Sequence, residues 1–181
     1  MKDIYFEKVS FETFLKDVDG TYFSSHIRKN AKIEGKTFEE YVREKYDKIK
    51  LPKRKTKCSA GYDFATPFEI DYSKIDPSDV VAIPTGIKAH MPDDIVLQMH
   101  IRSSMGIHRI NIANTVGIID ADYYNNESNE GDILIALVNT GRSQMTIGEG
   151  DRISQGIFTK YYTTQDDDSN ELRTGGYGST N

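Results

Sequence analysis

"DILIALVN", residues 132–139, decides the fold. From Ile133 to Val138 every residue is apolar, so neither face of an extended segment would be polar. A short run of this kind, rich in branched side chains and followed by Asn139-Thr140-Gly141, reads as a central strand covered on both faces. Upstream, DIVLQMHI at 94–101 alternates, with Ile95, Leu97, Met99 and Ile101 set against Val96, Gln98 and His100. SQMTI at 143–147 and RISQGIFTKYY at 152–162 continue the pattern. Turn signals punctuate it: PTG at 84–86, PDD at 92–94 and GEGD at 148–151. Many short strands at this spacing imply a mainly β domain, a sandwich, jelly roll or small barrel.

The first fifty residues have a different texture. DIYFEKV at 3–9 reads as a short strand. Ser10 then precedes Phe11, Phe14, Leu15 and Val18, which share one helix face. A polar stretch runs to about residue 36, and Thr37 with Glu40 forms a capping box before Phe38, Tyr41, Val42 and Ile49. Leu51-Pro52 ends that helix. Residues 10–50 are therefore expected as a helical insertion packed on the β domain, with a partner-binding surface as the alternative.

The 181 residues amount to a single domain, 1–181, with net charge −5. No nucleic-acid surface is expected, and the basic run at 43–57 reads as a solvated face. The single cysteine, Cys58, excludes a disulfide framework and reads as a small buried or half-buried residue. His26, His90, His100 and His108 form no HxxxH pair. The N-terminus lacks an apolar signal core and no run reaches membrane-spanning length, so a soluble, cytoplasmic protein is expected. RTGGYGSTN, 173–181, is too rich in glycine to pack and reads as a mobile tail.

Five short patterns carry chemistry. In GIIDADYY, 117–124, an apolar strand runs straight into Asp120. Alone, this is a strand ending in a turn. AGYDF at 60–64, RSSMG at 102–106, GDRISQGIF at 150–158 and RTGGYGST at 173–180 are equally ordinary alone. Arginine followed by hydroxyls can cradle phosphate. In this order the five resemble the motifs of the trimeric dUTPase family, over about residues 57–181 with 3–9 as a first strand.

The resemblance implies a jelly-roll fold, a homotrimer with sites between subunits, and hydrolysis of dUTP to dUMP and pyrophosphate with Mg2+ on the phosphates. No metal would be held by protein side chains directly. It implies that Asp120 is the water-activating base. It makes Asn114 the uracil-pairing residue, Gly117 a point of close backbone approach, and Tyr123 the ring beneath the deoxyribose. Arg102, Ser103 and Ser104 would meet phosphate oxygens, and Gln155 would help hold water and phosphate. Asp63 and Arg152 would be structural near the site. In the tail, Arg173 would meet phosphate, Tyr177 would stack on uracil, and Ser179 and Thr180 would cap the terminal phosphate. Two alternatives are a dCTP deaminase or bifunctional deaminase/dUTPase, the deaminase being similar but using a glutamate near GIID, and a regulatory protein that binds a partner through 10–50 or 124–130.

Overall fold

The computed structural model describes residues 3–71, 79–141 and 145–169. Strand β1 (Tyr5–Lys8) leads into three helices, α1 (Phe11–Asp19), α2 (Ser24–Ile33) and α3 (Phe38–Lys48). Strands β2 (Lys53–Arg54), β3 (Tyr62–Ala65), β4 (Ile70–Asp71), β5 (Val80–Pro84), β6 (Ile87–His90) and β7 (Ile95–Ile101) follow. A short helix α4 (Ser103–Ile107) precedes β8 (Ile110–Ile112) and β9 (Gly117–Ile119). A 3₁₀ turn (Ala121–Tyr123) then leads to β10 (Leu134–Asn139), β11 (Thr146–Ile147) and β12 (Arg152–Lys160).

The strands form a five-stranded sheet, β2-β3-β12-β7-β9, a three-stranded sheet, β5-β10-β8, and the pairs β1-β6 and β11-β4. Every pairing is antiparallel. As the unbroken apolar run requires, β10 is central: Leu137 faces Val81 on one side and Ile112 on the other. Phe64 and Leu97 from the larger sheet join Ile83, Ile135 and Leu137 from the smaller one in a single core, each at most 2 % exposed. Each such side chain contributes about 1.5–3 kcal/mol through burial. This is the mainly β architecture expected.

The helices cover part of that core. Phe11, Phe14 and Val18 of α1 are buried, and Phe14 stacks on Phe68 with ring centres 6.0 Å apart. Ser10 caps α1, and Thr37 with Glu40 forms the expected capping box on α3. The polar stretch before residue 36 is not a loop, because it contains α2. Only Ile27 and Ala31 of that helix are buried, too thin a face for periodicity to reveal. The Arg28 guanidinium stacks 4.0 Å from the Phe38 ring and ties α2 to α3.

Two other expectations are corrected. Cys58 is exposed, because it sits in a tight turn outside the sheet. The basic run is not wholly solvated: Lys45 is buried, its Nζ 2.7 Å from Glu149 and 4.5 Å from the Tyr41 ring.

Segments 10–50 and 124–130 dock on each other. Glu130 accepts from the Ser10 backbone N–H at 3.0 Å, from Thr13 Oγ1 at 2.6 Å, and from Ser10 Oγ. Lys16 donates to the Ser128 carbonyl at 3.1 Å, and Lys88 donates to Asn125 at 2.6 Å. Burial alone would raise the Glu130 carboxyl, but the bonds from Ser10 and Thr13 outweigh it and hold the group at about 2.

Next to this latch, Asp17 of α1 meets Asp132, which is 0 % exposed. Asp132 Oδ1 accepts from the Gly86 N–H at 2.8 Å. Among the described residues the Oδ2 atoms of the two aspartates find no donor elsewhere, so the pair is satisfied when one of them carries a proton. Burial first, and then the neighbouring charge, push Asp132 well above the ordinary carboxylate range; burial also pushes Asp17 up. The folded chain therefore holds a proton that the unfolded chain releases. Stability falls as pH rises above about 4, the ordinary aspartate value. Asp17→Asn supplies a donor without a charge. It is expected to stabilise the fold by about 1–3 kcal/mol at high pH and by less at low pH. Thermal melts of both proteins from mildly acidic to mildly alkaline pH check this, and a pH-independent difference would exclude a shared proton.

Candidate active site

The site begins with a register. Gln155 of β12 faces Asp63 of β3 on one side and His100 of β7 on the other. Directly paired residues project from the same face of a sheet, so these three form a row. Arg102 follows at the end of β7. Asp63 Oδ1 lies 2.8 Å from Arg102 Nε, and Asp63 Oδ2 lies 2.8 Å from Arg152 Nη1. One carboxylate thus fixes two guanidiniums. Its side chain is 14 % exposed, so these contacts are partly shielded from water and ions.

Gln155 is held by an absence of side chain. A Cβ at Gly61 would fall 2.4 Å from Gln155 Oε1 and 3.1 Å from its Cβ. Glycine at 61 therefore lets the amide lie flat against the β3 backbone. RSSMG does not form an irregular turn: Ser103 and Ser104 open α4, and Met105 anchors it in the core.

These residues line a cleft of about 510 Å³. It brings together Asp63, Arg102, Ser103, Ser104, Arg152 and Gln155, six of the residues singled out from sequence. Lys55, Ser59 and Gly61 complete the lining and were missed. Their signal was the placement of KRKTK two residues ahead of AGYDF, in one hairpin. Guanidiniums, hydroxyls and an amide make an anion site, and their spread suits several phosphates rather than one. Among the described residues no group of three His, Cys, Asp or Glu side chains is placed to hold a metal ion. The lone carboxylate lining the cleft is already engaged by two cations. This donor set suits magnesium arriving on a polyphosphate rather than a cation caged by protein.

The remaining described residues lie in and around β9, at the far edge of the same sheet. Asn114 and Thr115 form the tight turn between β8 and β9, where Val116 N–H donates to the Asn114 carbonyl at 2.7 Å. Thr115 holds φ at 68°, a left-handed value that costs a branched residue of order 1–3 kcal/mol. Gly117 lies against Met99, where a Cβ would meet the Met99 Cβ at 3.1 Å. Asp120 sits between β9 and the 3₁₀ turn, and its carbonyl accepts from the Tyr123 N–H at 3.1 Å.

Tyr123 is buried. Its hydroxyl donates to the Asp132 carbonyl at 2.9 Å and accepts from Asn129 at 3.0 Å. It therefore anchors the loop as well as sitting beside Asp120. Tyr124 turns away, donating to Glu7 at 3.0 Å. Arg173, Tyr177, Ser179 and Thr180 lie outside the described residues.

The register also sets the distance between the two groups. β9 pairs with β7 so that Leu97 faces Ile119, which puts Asp120 one step further, beside Val96. Arg102 lies six residues away at the other end of β7. At about 3.3 Å per residue the two are separated by roughly 20 Å along the sheet. A single phosphate cannot touch both within one chain.

A β-sheet cleft of clamped arginines and hydroxyls, with Asp120 just past β9 at the edge of the same sheet, has the chemistry to suit a polyphosphate. The chain belongs to the dUTPase family, whose model matches residues 47–181. It is 39% identical over 152 residues to the deoxyuridine 5'-triphosphate nucleotidohydrolase of Lactococcus lactis subsp. lactis (strain IL1403), covering 82% of this chain and 98% of that protein. Identity to the Rickettsia felis (strain ATCC VR-1525 / URRWXCal2) protein of the same name is 36% over 136 residues, or 72% of this chain and 87% of that one. Among solved structures, the dUTPase of Streptococcus mutans is similar with a TM-score of 0.58 at 36% identity, covering 63% of this chain and 88% of that one.

Asp63→Asn tests the clamp. It keeps size but removes the charge that orients both guanidiniums. A misplacement of this kind costs about 10²-fold in rate. The expected result is a comparable loss in kcat/KM for the family's substrate with an unchanged fold by circular dichroism. Activity within a factor of two of the parent would show that the arginines hold themselves.

Proposed function

We propose that the protein hydrolyses dUTP to dUMP and pyrophosphate. The observation that carries this reading is the cleft in which Asp63 aims Arg102 and Arg152 beside Ser103 and Ser104. It occurs in a chain matched by the dUTPase model over most of its length. Water attacks the α-phosphorus, the bond to the bridging oxygen breaks, and pyrophosphate leaves. Asp120 takes the proton of the attacking water. General-base help of this kind is worth about 10²–10⁴ in rate, so charge stabilisation must supply the remainder. Arg102, Ser103, Ser104 and Gln155 bind and orient the phosphates. Magnesium carried on those phosphates would neutralise further charge.

Asn114, at the strained turn, pairs with uracil. A pocket that matches one base edge rejects another because mispaired buried polar groups are costly. Gly117 allows the backbone near the base, and the Tyr123 ring lies beneath the sugar. The tail supplies Arg173, Tyr177, Ser179 and Thr180 over the bound triphosphate. The regulatory reading has less support, because 10–50 and 124–130 direct polar groups at each other.

The separation of roughly 20 Å between Asp120 and Arg102 along β7 favours a site shared between copies of the chain, in the homotrimer that the family resemblance implies. Each half of the site also carries exposed apolar surface: Ile107 at the end of α4 is 79% exposed, and Ile118 of β9 is 54% exposed. Such residues suit an interface.

Two measurements test this. Asp120→Asn is expected to lower dUTP turnover about 10²-fold or more while nucleotide binding persists; near-normal turnover would remove Asp120 from the role of base. Asp120→Asn and Arg102→Ala chains, each inactive alone, are expected to regain turnover when unfolded and refolded together, with a light-scattering mass of three chains. A mixture no more active than its components would place each site within one chain.

A further inference from the structure

We propose that Lys55 is a substrate-positioning residue that contacts the phosphate chain directly. The inference rests on the polyphosphate reading of the cleft. Lys55 belongs to the hairpin that joins β2 to β3, and it lines the cleft with Arg102, Ser103, Ser104 and Gln155. Lys53 faces Asp63 across β2 and β3, so the two project from the same face. Lys55 follows in the turn just after β2 ends, and there it lines the cleft.

The hairpin is built to hold this position. Arg54 Nη1 donates to the carbonyls of Lys57 and Ser59, both at 3.0 Å. The Thr56 N–H donates to Ser59 Oγ at 3.2 Å, and the two hydroxyls lie 2.7 Å apart. Arg54, Thr56 and Ser59 thus fix the turn. Lys55 has no carboxylate partner among the described residues, unlike Lys36, Lys45, Lys48, Lys88 and Lys160.

Charge explains why it matters. Among the described residues the cleft is lined by three cations, Lys55, Arg102 and Arg152, and by one carboxylate, Asp63. Asp63 cancels the equivalent of one guanidinium, so Lys55 doubles the net positive charge that these lining side chains offer a chain of phosphates, from one to two. Lysine brings a point charge on a flexible stem, which can follow an oxygen through the reaction better than a clamped guanidinium can. The chemical class it selects is a polyphosphate rather than a monophosphate.

The test compares Lys55→Ala with Lys57→Ala, which removes the same charge from the same hairpin. Two probes are used, dUTP in steady-state turnover and inorganic triphosphate in calorimetric binding. Lys55→Ala is expected to raise KM for dUTP and weaken triphosphate binding about tenfold each, the weight of one charge-assisted contact. Lys57→Ala is expected to leave both nearly unchanged, and Lys55→Arg to recover most of the loss. Affinity for dUMP is expected to fall by less than twofold. Equal effects of Lys55→Ala and Lys57→Ala would reduce Lys55 to one more solvated charge and overturn the proposal. Wild-type protein that binds triphosphate through Lys55 but does not turn over dUTP would overturn the reaction and leave the Lys55 contact standing.

Discussion

The pairing of β12 with β7 organises the molecule. It runs from Ser154 opposite Ile101 to Lys160 opposite Ile95 without a slip. Gly156 makes the pairing close: a Cβ there would lie 2.8 Å from Leu97 and 3.0 Å from Phe64. The same register that seals the core on one face lines up Asp63, Gln155 and His100 on the other. Because a one-residue slip would turn every side chain over, core and cleft cannot vary independently. Packing therefore fixes the geometry of the clamped arginines, and the cleft needs no mobile part to assemble it.

Much of this was legible in the sequence, for physical reasons that differ by element. β10 and β7 were readable because their hydrophobic patterns are strong and short. The first and third helices were readable because Ser10 and the Thr37–Glu40 box mark their starts. α2 escaped because it buries only Ile27 and Ala31, with its remaining tie, Arg28 on Phe38, written in a charged residue. The motif residues of the cleft were legible through their order along the chain. Lys55 was not, because a lysine in a lysine-rich run looks solvated until the turn after β2 brings it into the cleft with Arg102 and Ser103. The partnership of Asp17 with Asp132 was also hidden. Its members are 115 positions apart in sequence, and neither lies in a recognisable motif pair.

Tyr123 shows how one residue serves two demands. Its hydroxyl is fixed to Asp132 and Asn129, so the ring cannot rotate freely next to Asp120. A sugar placed against it would meet a wall held by the core. Thr115 shows the opposite arrangement, a branched residue kept in an unfavourable backbone region by the turn around it. Both place rigidity in the segments on either side of β9.

The helical layer and the loop after Tyr123 have a bearing on how such a chain could arise. Ser10, Thr13 and Asp17 are served by Glu130 and Asp132, and Lys16 by Ser128. Neither segment is a self-sufficient addition. A chain that acquired the helices alone would leave the N-cap of α1 without its carboxylate, and one that acquired the loop alone would leave Glu130 without its Ser10 and Thr13 donors. The two are coupled as plug and socket. Exchange of this region between homologous scaffolds, whether by recombination or by design, has to carry both pieces in one step.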